Sequence, residues 1–174
     1  LNRAELAVDA GKSQVRLVVS ERFYAVVADS WWRAERAANS VQAQWEPGAM
    51  AGVSSASIHE ALAEALSAED MKVFEERGEP EKALSQGKRK VSAQYRVGLA
   101  AHAAMEPLNC TIRLGMEECD VWIGTQAPRL VQRQVANASG LSIDRVRVHP
   151  LPMGGSFGRR LESDVASEAL EIAR

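Results

Sequence analysis

The sequence has few cysteines, few aromatic residues and no excess of positive charge. Two cysteines in 174 residues cannot build a disulfide framework or a metal site by themselves, so Cys110 and Cys119 are predicted to be small buried thiols. A formal net charge of −2 gives no case for nucleic acid as a partner, because nucleic acid requires a concentrated basic face. No apolar run is long enough to predict a membrane span.

Sets of residues typical of hydrolases and metal centres are also missing. There is no Ser, His and Asp series in a plausible order, no pair of histidines with metal spacing and no Cys-x-x-Cys motif. His102 and His149 each stand without a second ligand nearby in the sequence. Glu106, next to Pro107, could act as an acid or base, but a single carboxylate more often has a structural hydrogen-bonding role.

The first half of the chain predicts a small α/β unit followed by a connector. Apolar runs at 15–19 and 23–28 predict a hairpin. Apolar residues at three- and four-residue steps from Trp31 to Trp45 predict one amphipathic helix. The stretch after it is charged and broken by glycine and proline, which predicts a surface connector with one or two short helices.

The second half predicts a parallel crossover unit. An alternating pattern predicts a strand at 91–97, and residues 109–114 and 119–124 predict an antiparallel pair. A helix at 128–138, expected to bury Leu130, Val131 and Val135, leads to a strand at 145–149. The last ten or so residues predict a helix with Val165, Ala169 and Ile172 on one side.

A glycine-rich loop lies between the strand at 145–149 and the last helix. Gly154, Gly155 and Gly158 permit backbone conformations that turn several N–H groups toward an anionic or oxygen-rich group. Arg159 and Arg160 add fork-shaped donors that suit phosphate or carboxylate. The pattern is neither the dinucleotide fingerprint nor the P-loop, and many such loops are only tight turns.

Ligands of a crossover unit gather beyond the carboxyl ends of its strands. Gln126 and the glycine loop each follow such a strand end, so we expect them to face the same space. A neutral amide beside several N–H groups suits oxo, sulfido or phosphate oxygens. The alternative, that Gln126 only caps the following helix, is equally compatible with the residues alone.

Four motifs occur together and in order. They are VVADSWW at 26–32, AHAAMEPLNCT at 101–111, VWIGTQ at 121–126 and GGSFGRR at 154–160. This series resembles the molybdenum-binding large subunit of the xanthine oxidase family. It is most similar to the isoquinoline oxidoreductase and aldehyde dehydrogenase branch of bacterial molybdenum hydroxylases.

The resemblance implies an α+β fold in three parts. Residues 1–48 would be a partial α/β-hammerhead domain, and 49–90 a connector with short helices. Residues 91–174 would be the N-terminal part of the molybdopterin-binding domain. The chain begins without an initiator methionine and ends inside a helical pattern, so we expect it to be a fragment of a longer subunit.

The resemblance also implies a molybdenum–molybdopterin cofactor. The amide of Gln126 would lie against a ligand oxygen of the molybdenum centre, and the glycine loop would cover the metal and offer backbone N–H groups. No side chain of this fragment would bind the metal or act as the catalytic base. The predicted cofactor-binding residues are Gln126, Gly154, Gly155, Ser156, Phe157, Gly158 and Arg159.

The implied reaction is hydroxylation of an N-heterocycle, or oxidation of an aldehyde, with oxygen from water. Electrons would leave through an iron–sulfur small subunit, and the base would lie in the remainder of the large subunit, after Arg174. The fragment alone would therefore be inactive. The parent protein would work in the bacterial cytoplasm or periplasm, which the sequence does not distinguish.

Two positions depart from the family pattern. Ser156 stands where the usual loop has a third glycine, and Leu161 stands where xanthine-type enzymes have a substrate-facing glutamate. A leucine cannot accept a hydrogen bond from a purine N–H group, so purine oxidation is not expected. Two rival hypotheses stay open: a non-catalytic interaction module, and a small phosphate- or nucleotide-binding protein that uses Arg159 and Arg160.

Overall fold

The protein is described from a computed structural model, which covers residues 3–6, 15–67 and 72–174. The chain divides into two compact units, one built from residues 1–46 with 101–174 and the other from 47–100. Both helices and sheets are present, so the predicted α+β class is confirmed. Where a hammerhead domain would end and a cofactor-binding domain begin stays a prediction. Among the described residues, no helix is both long and apolar enough to cross a membrane.

The N-terminal part of the first unit contains two antiparallel strand pairs and one helix. Strand β1 pairs with β4, and β2 pairs with β3, which confirms the predicted hairpin. The elements in chain order are β1 (Arg3–Leu6), β2 (Arg16–Val19), β3 (Tyr24–Val27), α1 (Trp31–Ala38) and β4 (Val41–Gln44).

The single helix predicted from Trp31 to Trp45 is wrong in its second half. Helix α1 ends at Ala38, and the N–H of Ser40 donates to the carbonyl of Ala37 at 3.0 Å, which closes the last turn. The chain then continues as β4, in which half-buried and exposed residues alternate. The alternating pattern of Val-Gln-Ala-Gln therefore forms a strand, although apolar residues also recur at three- and four-residue steps. The strand forms because β1 pairs with this segment.

The second unit, 47–100, contains two short helices, α2 (Ser55–Ala65) and α3 (Pro80–Gln86). None of its described residues is buried. The strand predicted at 91–97 is wrong: this segment pairs with no strand among the described residues, and Val91 and Val97 are 80% and 82% exposed. Alternation of apolar residues predicts a strand only where a neighbour is available to complete the hydrogen-bond ladder.

The C-terminal part of the first unit is a three-stranded sheet with two helices. Strand β6 is central; it pairs antiparallel with β5 and parallel with β7, and α4 makes the crossover between β6 and β7, as predicted. Short 3-10 turns precede β7 and α5. The elements are β5 (Cys110–Leu114), β6 (Cys119–Ile123), α4 (Pro128–Ser139), β7 (Val146–Pro150) and α5 (Asp164–Ala173).

Both helices pack on one face of this sheet and form the core with it. Helix α4 contacts β7, α5 contacts β5, and the two helices contact each other. Gly140 ends α4 with φ +79°, the left-handed conformation that glycine adopts without steric cost. The largest fully buried side chains of the core are Leu170, Val121, Val131, Val135, Val146 and Cys119.

Some predicted core positions need correction. Leu130, predicted to be buried, is 40% exposed. Helix α5 buries Ala166 and Leu170, whereas Val165, Ala169 and Ile172, predicted to share one side, are half-buried. The buried side of α5 faces both β5 and α4, and this double contact selects a different stripe of the helix. Cys119 is buried as predicted, whereas Cys110 is only half-buried; both thiols are free because Cys110 lies opposite Ile123 and not Cys119.

Candidate cofactor-binding site

The turns that follow β6 and β7 meet at one edge of the sheet. The two strands are parallel, so their carboxyl ends lie side by side. The N–H of Gln126 donates to the carbonyl of Arg160 at 3.0 Å, and the Thr125 hydroxyl donates to the same carbonyl at 3.2 Å. The turn holding Gln126 and the end of the glycine loop are therefore in direct contact, as the strand ends predicted.

Gln126 does not cap helix α4. The helix begins at Pro128, and the side chain next to its start is that of buried Thr125, whose hydroxyl accepts from the N–H of Ala127 at 3.0 Å. The side chain of Gln126 is exposed, and its carbonyl oxygen accepts a hydrogen bond from the Ser156 hydroxyl. In the described part of the chain, its amide nitrogen donates to no other residue.

Buried Arg160 holds three segments of the site together. Its guanidinium donates to the carbonyl of Gly155 at 2.9 Å and to that of Gly124 at 3.5 Å. It also donates to Glu106, at 3.1 Å to the carbonyl and 2.8 Å to the carboxylate. Only 3% of this residue is exposed. Arg160 is therefore not a free donor for phosphate, which corrects the role predicted from its position in the sequence.

The carboxylate of Glu106 completes this arrangement. It accepts from the N–H of Gly154 at 2.6 Å and from the side chain of Asn109 at 2.9 Å, besides Arg160. The hydrogen bond from Gly154, followed by that from Asn109, lowers the pKa of Glu106 below its usual value. Its predicted structural role is confirmed, and a side chain at Gly154 would put its Cβ 2.6 Å from that of Glu106.

The glycine loop presents several unused backbone donors. Gly155 and Gly158 have φ of +107° and +96°, and Phe157, which is not a glycine, has φ +54°. Among the described residues, the N–H groups of 155–158 find no acceptor. Successive free N–H groups in such a conformation form a concave surface that attracts anions and oxygen atoms. The ring of Phe157 is 75% exposed beside them.

Arg159 already has a carboxylate partner. Two of its guanidinium nitrogens contact the two oxygens of Asp164, at 2.9 and 2.5 Å. This pairing lowers the pKa of Asp164 and raises that of Arg159. Because both arginines of the loop are paired within the chain, the hypothesis of a phosphate- or nucleotide-binding protein that uses them is not favoured.

The donors of this corner fit a molybdenum–pterin group. Such a group carries oxygen and sulfur acceptors and a phosphate, and the corner offers neutral N–H donors from 155–158 together with the Gln126 amide. None of the described residues forms a cluster of three or more metal-ligating side chains. The cofactor role of each residue stays a prediction.

A second charged cluster lies on the sheet face opposite the helices. The carboxylate of Asp120, 2% exposed, accepts from Arg113 at 2.6 Å, Arg147 at 2.8 Å and His149 at 2.8 Å. Arg147 first, then His149 and Arg113, hold the pKa of Asp120 far below its usual range. His149, which looked isolated in the sequence, stacks on Trp122 with ring centroids 4.9 Å apart.

The sequence of this chain is similar to those of known molybdopterin-binding proteins. Residues 59–173 match the model of the molybdopterin cofactor-binding domain. The chain is 33% identical to the beta subunit of isoquinoline 1-oxidoreductase from Brevundimonas diminuta over 84 residues, 48% of the chain and 11% of that protein.

Two further relatives match over most of the chain. A nicotinate dehydrogenase subunit from Pseudomonas putida is 24% identical over 92% of the chain and 13% of its own length. The xanthine dehydrogenase/oxidase of Rattus norvegicus is 31% identical over 86% of the chain and 11% of its own length. The chain thus spans about a tenth of the length of these relatives. With the family model covering more than half of the sequence, the chain belongs to the molybdopterin-binding large subunits of the xanthine oxidase family.

Proposed function

We propose that this chain forms one wall of the cofactor site of a molybdenum-dependent hydroxylase. The observation that carries the proposal is the single edge on which the free amide nitrogen of Gln126 and the free N–H groups of 155–158 come together. Preorganised neutral donors of this kind stabilise oxygen atoms that gain negative charge, without introducing a competing cation.

Each group of the corner has a distinct part in this proposal. The Gln126 amide and the loop N–H groups bind and orient oxygen atoms of the cofactor. Arg160 and Glu106 hold the two turns together, because Arg160 donates to Gly155, Gly124 and Glu106, and Glu106 accepts from Gly154. When bound, the molybdenum–pterin group supplies the two-electron chemistry that adds water-derived oxygen to a substrate carbon. The general base would come from the rest of the large subunit.

N-heterocycles or aldehydes are the substrate class that we propose. Leu161 follows the glycine loop and is 49% exposed, so it offers an apolar surface with no acceptor for a purine N–H group. Two of the relatives are named for isoquinoline and nicotinate, which are N-heteroaromatic compounds. A planar heterocycle suits a wall formed by Leu161 and the exposed ring of Phe157.

The proposed partners are the remainder of the large subunit and an iron–sulfur small subunit that removes electrons. Two relatives are each named as one subunit of an enzyme, which supports an assembly of more than one chain. The rival hypothesis of a non-catalytic interaction module predicts that the complete protein holds no molybdenum, even when the cofactor is supplied during expression.

Substitution of Gln126 tests the proposal. In the complete, cofactor-loaded protein, Gln126→Ala is expected to lower kcat roughly 10- to 100-fold, as loss of a residue that supports a metal centre typically does. Molybdenum content, measured by elemental analysis, should stay close to that of the native protein, with normal folding. The measurement is steady-state turnover of a panel of N-heterocycles and aldehydes.

Gln134→Ala is the matched control, because Gln134 is an exposed glutamine on α4 away from the corner. It should leave both turnover and molybdenum content unchanged. Full turnover in Gln126→Ala, or a complete protein that never binds molybdenum, would contradict the proposed function.

A further inference from the structure

We infer that Ser156 is a positioning residue that fixes which way round the Gln126 amide lies, so that its nitrogen and not its oxygen faces the cofactor. This inference rests on the proposed function and deepens it. Ser156 stands where related loops are expected to have glycine, so the device would be a property of this chain and not of the loop pattern in general.

The hydrogen bonds around the Ser156 hydroxyl determine the direction of its proton. The N–H of Arg160 donates to the Ser156 oxygen at 3.2 Å. A backbone N–H can only donate, so it occupies a lone pair of that oxygen and leaves the single hydroxyl proton for a second partner. That partner is the side chain of Gln126. The hydroxyl proton goes to the carbonyl oxygen of Gln126, its one acceptor among the described residues, so the oxygen of the amide faces Ser156.

The amide nitrogen of Gln126 therefore points away from Ser156. Among the described residues it has no other acceptor, and its two protons stay available to a ligand. Without the serine, the two orientations of the amide would have nearly the same shape and contacts within the chain. One of them would place a carbonyl oxygen against the oxygen acceptors of the cofactor, which removes a hydrogen bond and adds repulsion.

Ser156 is itself held in place by the rigid part of the site. Its hydroxyl contacts the backbone of Arg160, and the side chain of Arg160 is buried and bound to Gly155 and Glu106. The carbonyl of Ser156 accepts from the N–H of Arg159 at 3.0 Å. The orientation of an exposed side chain at 126 thus follows from a buried residue at 160, with the serine hydroxyl as the link between them.

The backbone at Ser156 allows clean substitutions. Residue 156 is not among the positions with positive φ, so alanine and threonine fit its conformation. Ser156→Ala removes only the hydroxyl, whereas Ser156→Thr keeps it. The pair separates the hydrogen bond from the packing of the loop.

The experiment compares Ser156→Ala, Ser156→Thr, Gln126→Ala and the double variant Ser156→Ala/Gln126→Ala in the complete, cofactor-loaded protein. Ser156→Ala is expected to lower kcat about 3- to 10-fold, the effect of one net hydrogen bond, with KM and molybdenum content unchanged. Ser156→Thr should restore kcat to about the native value. The paramagnetic resonance signal of the molybdenum centre should change in Ser156→Ala and return in Ser156→Thr, which gives a readout independent of turnover.

The double variant decides whether Ser156 acts through the amide. If it does, Ser156→Ala has no further effect once Gln126 is alanine. An equal loss in both backgrounds would overturn the inference, because the serine would then act on the loop itself. If Gln126→Ala lowers turnover but Ser156→Ala does not, the inference fails while the proposed function stands. If Gln126→Ala has no effect, both fail.

Discussion

Two charged clusters lie beside strand β6, and they use their hydrogen-bonding groups differently. On the open face of the sheet, the carboxylate of Asp120 is shared among Arg113, Arg147 and His149, and its capacity as an acceptor is filled within the chain. At the carboxyl end of β6, Glu106 and Arg160 are paired just as fully. There, however, the pairing leaves the donors of a neighbouring amide and loop unused.

The comparison teaches which part of a charged cluster indicates function. Among the described residues, no buried side-chain nitrogen or oxygen lacks a partner, so buried charges alone do not distinguish the two places. The distinguishing feature is that the unpaired donors beside buried Arg160 are neutral amide and backbone N–H groups, whereas the exposed donors of the Asp120 cluster include the charged guanidinium groups of Arg113 and Arg147. Charged groups in the corner serve to position neutral ones.

Replacing Arg160 should cause the largest loss of stability and so test the difference between the two clusters most directly. Arg160→Met leaves the Glu106 carboxylate and three carbonyls without their donor. Because the Glu106 side chain is 32% exposed and can recover water, we expect the free energy of unfolding to fall by about 2–3 kcal/mol. The measurement is urea denaturation followed by fluorescence. Arg133→Met, at an exposed position of α4, is the control and should change little. A loss below about 1 kcal/mol would show that Arg160 behaves as a surface charge.

A side chain at position 154 should have the next largest effect. Gly154→Ala puts a Cβ 2.6 Å from the Cβ of Glu106, too close for both backbones to stay in place. Overpacking of this kind typically costs about 1–3 kcal/mol, and we expect the loop to move away from Glu106. Urea denaturation measures the loss of stability. The molybdenum content of the complete protein reports whether the loop has moved.

Gly98→Ala provides the matched control for that substitution. A Cβ at Gly98 meets nothing within 4 Å, so stability should not fall. If both variants lose stability equally, the close approach between 154 and Glu106 is not what the alanine disturbs.

The last substitution, Asp120→Asn, keeps the shape of the side chain, and its effect should depend on pH. The folded-state pKa of Asp120 lies below the ordinary value of 3.8, chiefly because of the hydrogen bond from Arg147. A carboxyl with a lowered pKa stabilises the fold above its unfolded-state pKa, and this contribution is lost as the pH falls below that value. Native protein should therefore lose its advantage over Asp120→Asn between about pH 4 and the onset of acid unfolding.

The measurement for Asp120 is the urea midpoint at a series of pH values. Asp144→Asn, at an exposed position, is the control and should follow the native curve. If the difference between native protein and Asp120→Asn stays constant from neutral pH into the acid range, the carboxylate contributes nothing through its charge.

The crossover and the shared edge of the site could be predicted because they depend on local patterns and one topological rule. The strand ends at Ile123 and Pro150, the helix between them and Gly140 all follow from neighbouring residues. Once two parallel strands are expected, their carboxyl ends must lie together. The sequence alone therefore predicts that Gln126 and the glycine loop lie at one edge.

The partners of Arg160 and His149 could not be predicted in the same way. Glu106 is 54 residues before Arg160, and Asp120 is 29 residues before His149, so neither pair leaves a local pattern. The same limit explains the errors at Trp45 and at 91–97, where the presence or absence of a paired strand decided the structure. The position of Arg160 did offer one clue to its structural role. It directly follows a loop whose backbone carbonyls need hydrogen-bond donors.

Arg160 binds both turns of the site. Its main-chain carbonyl accepts from the turn that holds Gln126, and its guanidinium donates to the glycine loop at Gly155. The exposed side chain of Leu161, next to Arg160, carries none of this framework. Evolution can therefore exchange the outward side chains one at a time while the distance between the turns is conserved. Selectivity for new compounds becomes accessible by single substitutions, without an intermediate that has lost its architecture.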